Sequence, residues 1–390
     1  MTVRQIKKSI WTFAAASFLN DFGSDIIYPL WPFFVTSVLG ANMAVLGFLD
    51  GLGDALVSLS QAGSGYLSDR TQKRKVFVWT GYLMGALSRV GYAMSTVWQM
   101  LIPFRVLDRA GKMRGAPRDA MVADASTLED RGRTFGLLRS MDNLGAVCGI
   151  VFCMIFFHLG YRTLFLLAAI PSLLSVLLIL FRIKENPVSP TRTFKGLRLK
   201  DLTREFRLFL VLSTIFSLGT FSYSILLLFA KIRGTPDASS PLLYLVFTLV
   251  AALLSWPFGR LSDSLGRKTV LILSFVIWGA TCTLALMAYS SIAFALVFVL
   301  YGLHRAAIEP VQKAFVSELA PQALRASALG GYQLVTGLSA LPSSLIAGIL
   351  WDSISPSAPF ILSIALTACA TTMLIFMKQP GVKNNELSSS

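Results

Sequence analysis

Apolar positions come in blocks of about twenty along the chain, the length at which an α-helix crosses the hydrocarbon core of a bilayer. The blocks predict twelve spans, over residues 9–39, 43–67, 76–96, 97–125, 132–159, 161–183, 207–231, 240–261, 269–290, 291–319, 326–349 and 357–378. The longest polar stretch, 184–206, divides them into six and six. It is basic with scattered proline and reads as a linker. The expected fold is all-α and integral to the membrane. An amino-terminal six-helix bundle covers 1–183, the linker 184–206, and a carboxy-terminal six-helix bundle 207–390.

The fourth block departs from the pattern. It begins as a span and then admits Arg105, Asp108, Arg109, Lys112, Arg114, Arg118, Asp119 and Asp124. Ionisable groups at bilayer depth are costly unless they face a partner or a wet cavity. On a continuous helix, residues 105, 108/109, 112 and 119 share a face, which is expected to line a polar path. Arg114 and Arg118 form a second row nearer its mouth. Span 1 carries Asp21 and Asp25, and span 2 carries Asp50 and Asp54. Each pair is four residues apart and stacks on one helix face. Two close carboxylates in a low dielectric cannot both ionise cheaply, so these four are the candidates for proton coupling. Static pairing with the span-4 arginines is the competing expectation.

Composition fits this picture. The chain is 54% hydrophobic and 14% charged, against about a quarter charged in soluble proteins. Its net charge of +15 would suggest nucleic acid in a soluble chain. Here Lys and Arg cluster in alternate loops, as the positive-inside rule requires, and no nucleic-acid partner is expected. An even number of spans puts both termini with the basic loops, so both are predicted cytoplasmic, in a cell inner membrane. The first apolar block outruns a leader's h-region and is expected to stay as a span. Four cysteines lie in apolar stretches without metal or disulfide spacing. No metal or cofactor is expected. The chain has no Walker A loop, HExxH or GxSxG, so neither ATP as direct energy source nor hydrolytic chemistry is indicated.

An internal repeat adds the strongest structural signal. Gly65-Tyr-Leu-Ser-Asp69-Arg70-Thr-Gln-Lys73-Arg74-Lys75 follows span 2. It recurs 194 residues later as Gly259-Arg-Leu-Ser-Asp263-Ser-Leu-Gly266-Arg267-Lys268. An offset of 196 maps Asp108-Arg109 onto His304-Arg305. The repeated loop resembles the signature of the major facilitator superfamily, with Gln72 where glycine is usual. The resemblance covers essentially the whole chain. It implies two bundles related by an axis normal to the membrane, rocking about a central site. It also implies gating roles for Gly65, Asp69, Arg70, Asp263 and Arg267, with Arg133 and Arg139 as candidate partners of Asp69. For Arg105 it implies a part in proton transfer or substrate binding. Gly136, Gly145 and Gly149 on span 5 resemble the antiporter motif, with Ile150 in place of its proline, which tilts the reading toward export. Span 1 and the stretch LDRAGKMRGAPRDAMVADAS resemble a bacterial permease or efflux subgroup.

Arg105, Arg109 and Lys112 are the expected anion-attracting groups, Tyr28 and Tyr223 the stacking surfaces, and Glu309 a polar group of span 10. Glu309 and Lys313, four apart, are expected to satisfy each other, and Pro310 to interrupt the span. Gly219 with Ser217, Ser222 and Ser224 predicts an unwound stretch in span 7. The expected function is a monomeric secondary transporter. It moves a small organic solute through the lipid bilayer by alternating access, coupled to protons, with export favoured. The alternatives are uptake of an anionic compound such as a carboxylate-type metal chelate, and divalent-metal transport using Asp21 and Asp25. A membrane-embedded enzyme or a receptor is the reading from another class.

Overall fold

The computed structural model describes residues 3–71, 73–125, 131–185, 203–320 and 325–377. Within them it describes the backbone alone of residues 3–8, 69, 131–133 and 325–327. The described chain forms twelve rods. The first is α1 (Val3–Ile27), continued by the short α2 (Trp31–Phe33) and a π-turn (Phe34–Val38). Then come α3 (Met43–Thr71) and α4 (Arg74–Met94). The fourth rod is α5 (Leu101–Ala110), a 3₁₀ turn (Gly111–Arg114) and α6 (Gly115–Asp124). α7 (Arg131–Ile155) and α8 (Tyr161–Arg182) complete the first six. The seventh rod is α9 (Arg204–Gly219) and α10 (Tyr223–Ile232), parted at 220–222 where the serine-rich stretch predicts unwinding. The rest are α11 (Ser240–Leu265), α12 (Arg267–Met287), α13 (Ser291–Leu319), α14 (Arg325–Ser353) and α15 (Ala358–Phe376).

Nine rods among the described residues are long and apolar enough to cross a membrane. The other three are α1, α4 and α5–α6, which carry the aspartates of span 1, Arg89 and the fourth-block charges. Those groups lower the apolarity of their own rods, and Asp25, Arg89, Arg105, Asp108 and Arg114 are buried.

Two expectations need correction. The fourth rod is not one continuous helix. The turn at Gly111–Arg114 shifts the register, so the row through residues 105, 109 and 112 does not run on along one face. The break precedes Pro117, which is buried within α6. It falls where α4 and the fourth rod cross most closely, since a Cβ on Gly81 would stand 2.5 Å from the Gly111 carbonyl oxygen. The second correction concerns Pro310, which lies inside an uninterrupted α13.

Inside the first bundle α1 packs on α7 and α8. Cβ atoms on Gly145 and Gly149 would overlap the Phe18 and Phe22 carbonyl oxygens of α1, so these glycines permit close helix packing. The second bundle is centred on α12 and α13, with Phe216 stacked on Phe275 at 3.8 Å.

The bundles meet along α3 and α14. A Cβ on Gly47 would overlap the Ser344 carbonyl, and one on Gly51 would stand 2.6 Å from Leu341 Cα. At the end away from Lys73 and Gly266, several contacts close the seam. The Asp352 carboxylate accepts from the backbone N–H of Met43 at 3.2 Å and of Ala44 at 2.8 Å, capping α3 from the opposite bundle. Lys231 donates to Ser37 Oγ at 3.0 Å, and Tyr223 Oη to the Tyr28 carbonyl at 3.1 Å.

Candidate functional site

Between the bundles lies a cavity of about 1000 Å³. Its floor is the tyrosine layer of Tyr28, Tyr223 and Tyr244. It reaches Arg139 near the start of α7, Trp256 on α11 and Lys313 on α13. It therefore opens toward the end where α1 begins and α15 finishes, and is shut at the other.

The two walls differ in chemistry. The first bundle supplies Asp54, Arg105, Arg109, Arg139, Ser140 and Asn143. The second supplies an aromatic face in which each ring braces the next. Tyr223 lies 5.0 Å from Tyr244, Tyr244 4.7 Å from Phe247, Phe247 5.1 Å from Tyr301, and Tyr301 5.8 Å from Trp278. The second bundle also contributes Arg305, Glu309 and Lys313. Glu309 accepts from Arg305, one turn earlier, and not from Lys313 as its spacing had suggested. His304 lies beneath this wall, its Nδ1 2.9 Å from the Ser274 carbonyl oxygen. A carbonyl only accepts, so Nδ1 carries a proton in this contact.

The span-2 carboxylates separate. Asp50 is buried, and its Oδ1 accepts from Arg105 at 2.7 Å and from Trp31 Nε1 at 2.8 Å. Arg105 also donates to the Leu49 carbonyl and stacks 4.3 Å over Trp31. Asp54, one turn on, is exposed to the cavity, with Arg105, Arg109 and Arg305 the cations acting on it. Asp25 is buried at the seam, its Oδ1 3.4 Å from the Tyr244 hydroxyl of the other bundle. Asp21 accepts from Asn20 at 2.8 Å. Arg89, also buried, donates to neutral acceptors: the Ala168 carbonyl at 2.8 Å, Ser24 Oγ at 2.8 Å and the Asn20 carbonyl at 3.1 Å.

Of the residues expected from sequence, Asp54, Arg105, Arg109, Tyr28, Tyr223, Glu309 and Arg139 line the cavity, whereas Asp21, Asp25, Asp50 and Lys112 do not. Among the gating residues, Gly65 is half-buried and Arg70 exposed at the open end. The side chains of Asp69 and Arg133 lie outside the described ones. Asp263 stands 3.8 Å from Arg267, which also reaches Glu318 at 2.9 Å and the Ala314 carbonyl at 2.7 Å, all within the second bundle. Arg139 approaches Asp142 on its own helix at 3.8 Å. No group of three or more His, Cys, Asp or Glu poised to hold a metal occurs among the described residues.

Sequence reasoning missed Tyr244, Phe247, Tyr301 and Asp352. Aromatic residues in apolar helices carry no mark that separates a cavity wall from ordinary packing. Arg305, a span-10 charge and the repeat counterpart of Arg109, lines the cavity from the opposite bundle.

The sequence model of the Major Facilitator Superfamily matches residues 13–236 and 207–389. The chain belongs to the major facilitator superfamily. It is 34% identical to an uncharacterised MFS-type transporter of Methanocaldococcus jannaschii, over 96% of each chain. It is 23% identical to the multidrug resistance protein MdtH of Photorhabdus laumondii, over 85% of this chain and 84% of that one. Its fold matches a crystal structure of the nucleoside transporter NupG with a TM-score of 0.84 and 14% identity, over 95% of this chain and all of the other. The superfamily member described here is thus a multi-pass membrane protein of transporter fold. Its twelve rods form two six-rod bundles, with the cavity between them.

Proposed function

We propose that the protein is a monomeric secondary transporter that moves a small organic solute by alternating access, coupled to protons and running in the direction of export. The observation that carries this reading is the cavity of about 1000 Å³, lined by both bundles, open at one end and closed at the other by contacts between them. A solute touching both walls is held by groups whose relative positions change when the bundles rock. The basic loops support placing the open end and both termini in the cytoplasm and the protein in an inner membrane. The multidrug resistance name of one relative supports export. The bundles are taken as residues 1–183 and 207–390. Most of the linker between them lies outside the described residues.

Asp54 and Asp25 are the proton carriers in this reading. Asp54 is reached from the cavity. Asp25 contacts Tyr244 of the other bundle across a seam that parts when the closed end opens. Asp50, held by Arg105 and Trp31, is a static partner. The two signature loops gate the open end. There Asp69 pairs with Arg133 or Arg139 once the cavity has closed on that side.

Transport into proteoliposomes under an imposed pH gradient tests the reading, with a panel of radiolabelled solutes of either charge. The gradient is expected to drive accumulation of at least one solute by wild type. Asp54→Asn is expected to keep exchange of labelled for unlabelled solute while losing gradient-driven accumulation. Unchanged accumulation in both Asp54→Asn and Asp25→Asn would remove the proton assignment.

A further inference from the structure

The cavity's charges can be apportioned one by one. Arg105 is spent on Asp50 and the Leu49 carbonyl. Arg139 faces Asp142. Arg305 gives one N–H to Glu309, which leaves most of its donor fork unused. Arg139 and Lys313, nearer the open end, have donors to spare, and deeper in the cavity Arg109 is the least satisfied arginine. Its one ion pair within the described residues is with Asp108, at 3.5 Å through Nε, and that Nε makes no hydrogen bond. Its guanidinium lies 5.3 Å over the Tyr28 ring. Arg109 and Arg305 therefore face the cavity from opposite bundles with N–H groups to spare.

A planar fork of donors matches a carboxylate, which takes two parallel charge-assisted bonds. An anionic group between the two guanidiniums would be attracted to both, and so would draw the bundles together. Asp54 and Glu309 stand in the same space. They offset part of the positive field and oppose a ligand of high negative charge. The rest of the ligand would lie on the opposite wall, where Tyr244, Phe247 and Tyr301 present ring surface. Offset or edge contacts there reward a flat apolar body.

We infer that the solute is an organic monoanion with a flat apolar part, its carboxylate held between Arg109 and Arg305 and its body against Tyr244, Phe247 and Tyr301. This rests on the transport reading above and narrows it. It sets aside the carboxylate-rich metal chelate, which Asp54 and Glu309 would repel.

The test uses the purified full chain in detergent, with thermal unfolding followed in the presence of millimolar 2-naphthoate, 2-naphthamide, 2-naphthylmethylamine or citrate. Naphthoate is expected to raise the unfolding temperature, and the other three to leave it in place. Arg109→Gln and Arg305→Gln are each expected to weaken naphthoate binding about tenfold or more, the loss of a charge-assisted pair. Phe247→Ala is expected to weaken it while sparing any response to small carboxylates. Arg305 is exposed to the cavity, so Arg305→Gln carries the test if Arg109→Gln does not fold. A shift with the amine or with citrate, naphthoate binding unchanged in the folded arginine variants, or no shift with naphthoate would each overturn the inference. Exchange of labelled naphthoate in proteoliposomes separates the two claims. Binding without exchange removes the transport reading and leaves the anion site. Exchange of the amine does the reverse.

Discussion

Asp50 and Asp54 have the same spacing logic and different fates. Residues four apart share a helix face but differ in depth by about 6 Å. In α3 that step leads from the closed seam, where Trp31 and Arg105 enclose Asp50, to the widening cavity, where Asp54 stands exposed. The sequence shows the shared face, but the depth depends on where the second bundle lies. The pair makes a stability prediction. Asp50→Asn leaves Arg105 buried without its counter-charge, and breaking such a pair costs about 3–5 kcal/mol. The expected result is a clear fall in the unfolding temperature of the detergent-solubilised protein. Asp50→Asn with Arg105→Gln should lose less than the two single changes added together, because the second removes the charge the first stranded.

At the scale of the helix, two sets of glycines with the same geometry should behave differently. Gly145 and Gly149 let α7 touch α1 within one bundle, a contact that the proposed rocking of whole bundles keeps. Gly47 and Gly51 let α3 touch α14 across the seam, a contact that the proposed rocking would part when that end opens. Gly145→Ala is therefore expected to lower the unfolding temperature. Gly47→Ala should affect it less and instead raise thiol labelling of a cysteine placed at Ser344 by an impermeant reagent applied at the closed end. Equal labelling with and without Gly47→Ala would show that the overlap is absorbed without opening the seam. The 3₁₀ turn in the fourth rod was hidden by the assumption of one straight helix. Its sequence signals are Pro117, which removes a backbone donor and can kink the helix, and the pair Gly81 and Gly111, which allow the close crossing.

At the scale of the molecule, the number of rods and their division into halves were legible because bilayer thickness imposes a block length that any sequence must repeat. The duplicated loop made the two halves recognisable. The state of the protein was not legible, since it depends on contacts such as Asp352 to Met43 and Ala44, which join residues more than 300 positions apart. A side-chain cap on a helix start is worth about 1 kcal/mol, or about a fivefold shift between two states. Asp352→Ala is expected to move the population by that amount toward opening at the capped end, read by labelling at the Ser344 cysteine. No change in labelling would mean that α3 and α14 hold without the cap.

The contact between Tyr223 and Tyr28 carries one more consequence. These residues are 195 positions apart, between the two repeat offsets of 194 and 196, so near-equivalent places of the two halves meet at the centre of the protein. Their parts in this bond differ, because Tyr223 donates through its phenol and Tyr28 accepts through its main-chain carbonyl. Deleting the hydroxyl by Tyr223→Phe should loosen the floor of the cavity. The same deletion at Tyr28 should leave that bond untouched, so what began as twin halves now answers differently to twin mutations.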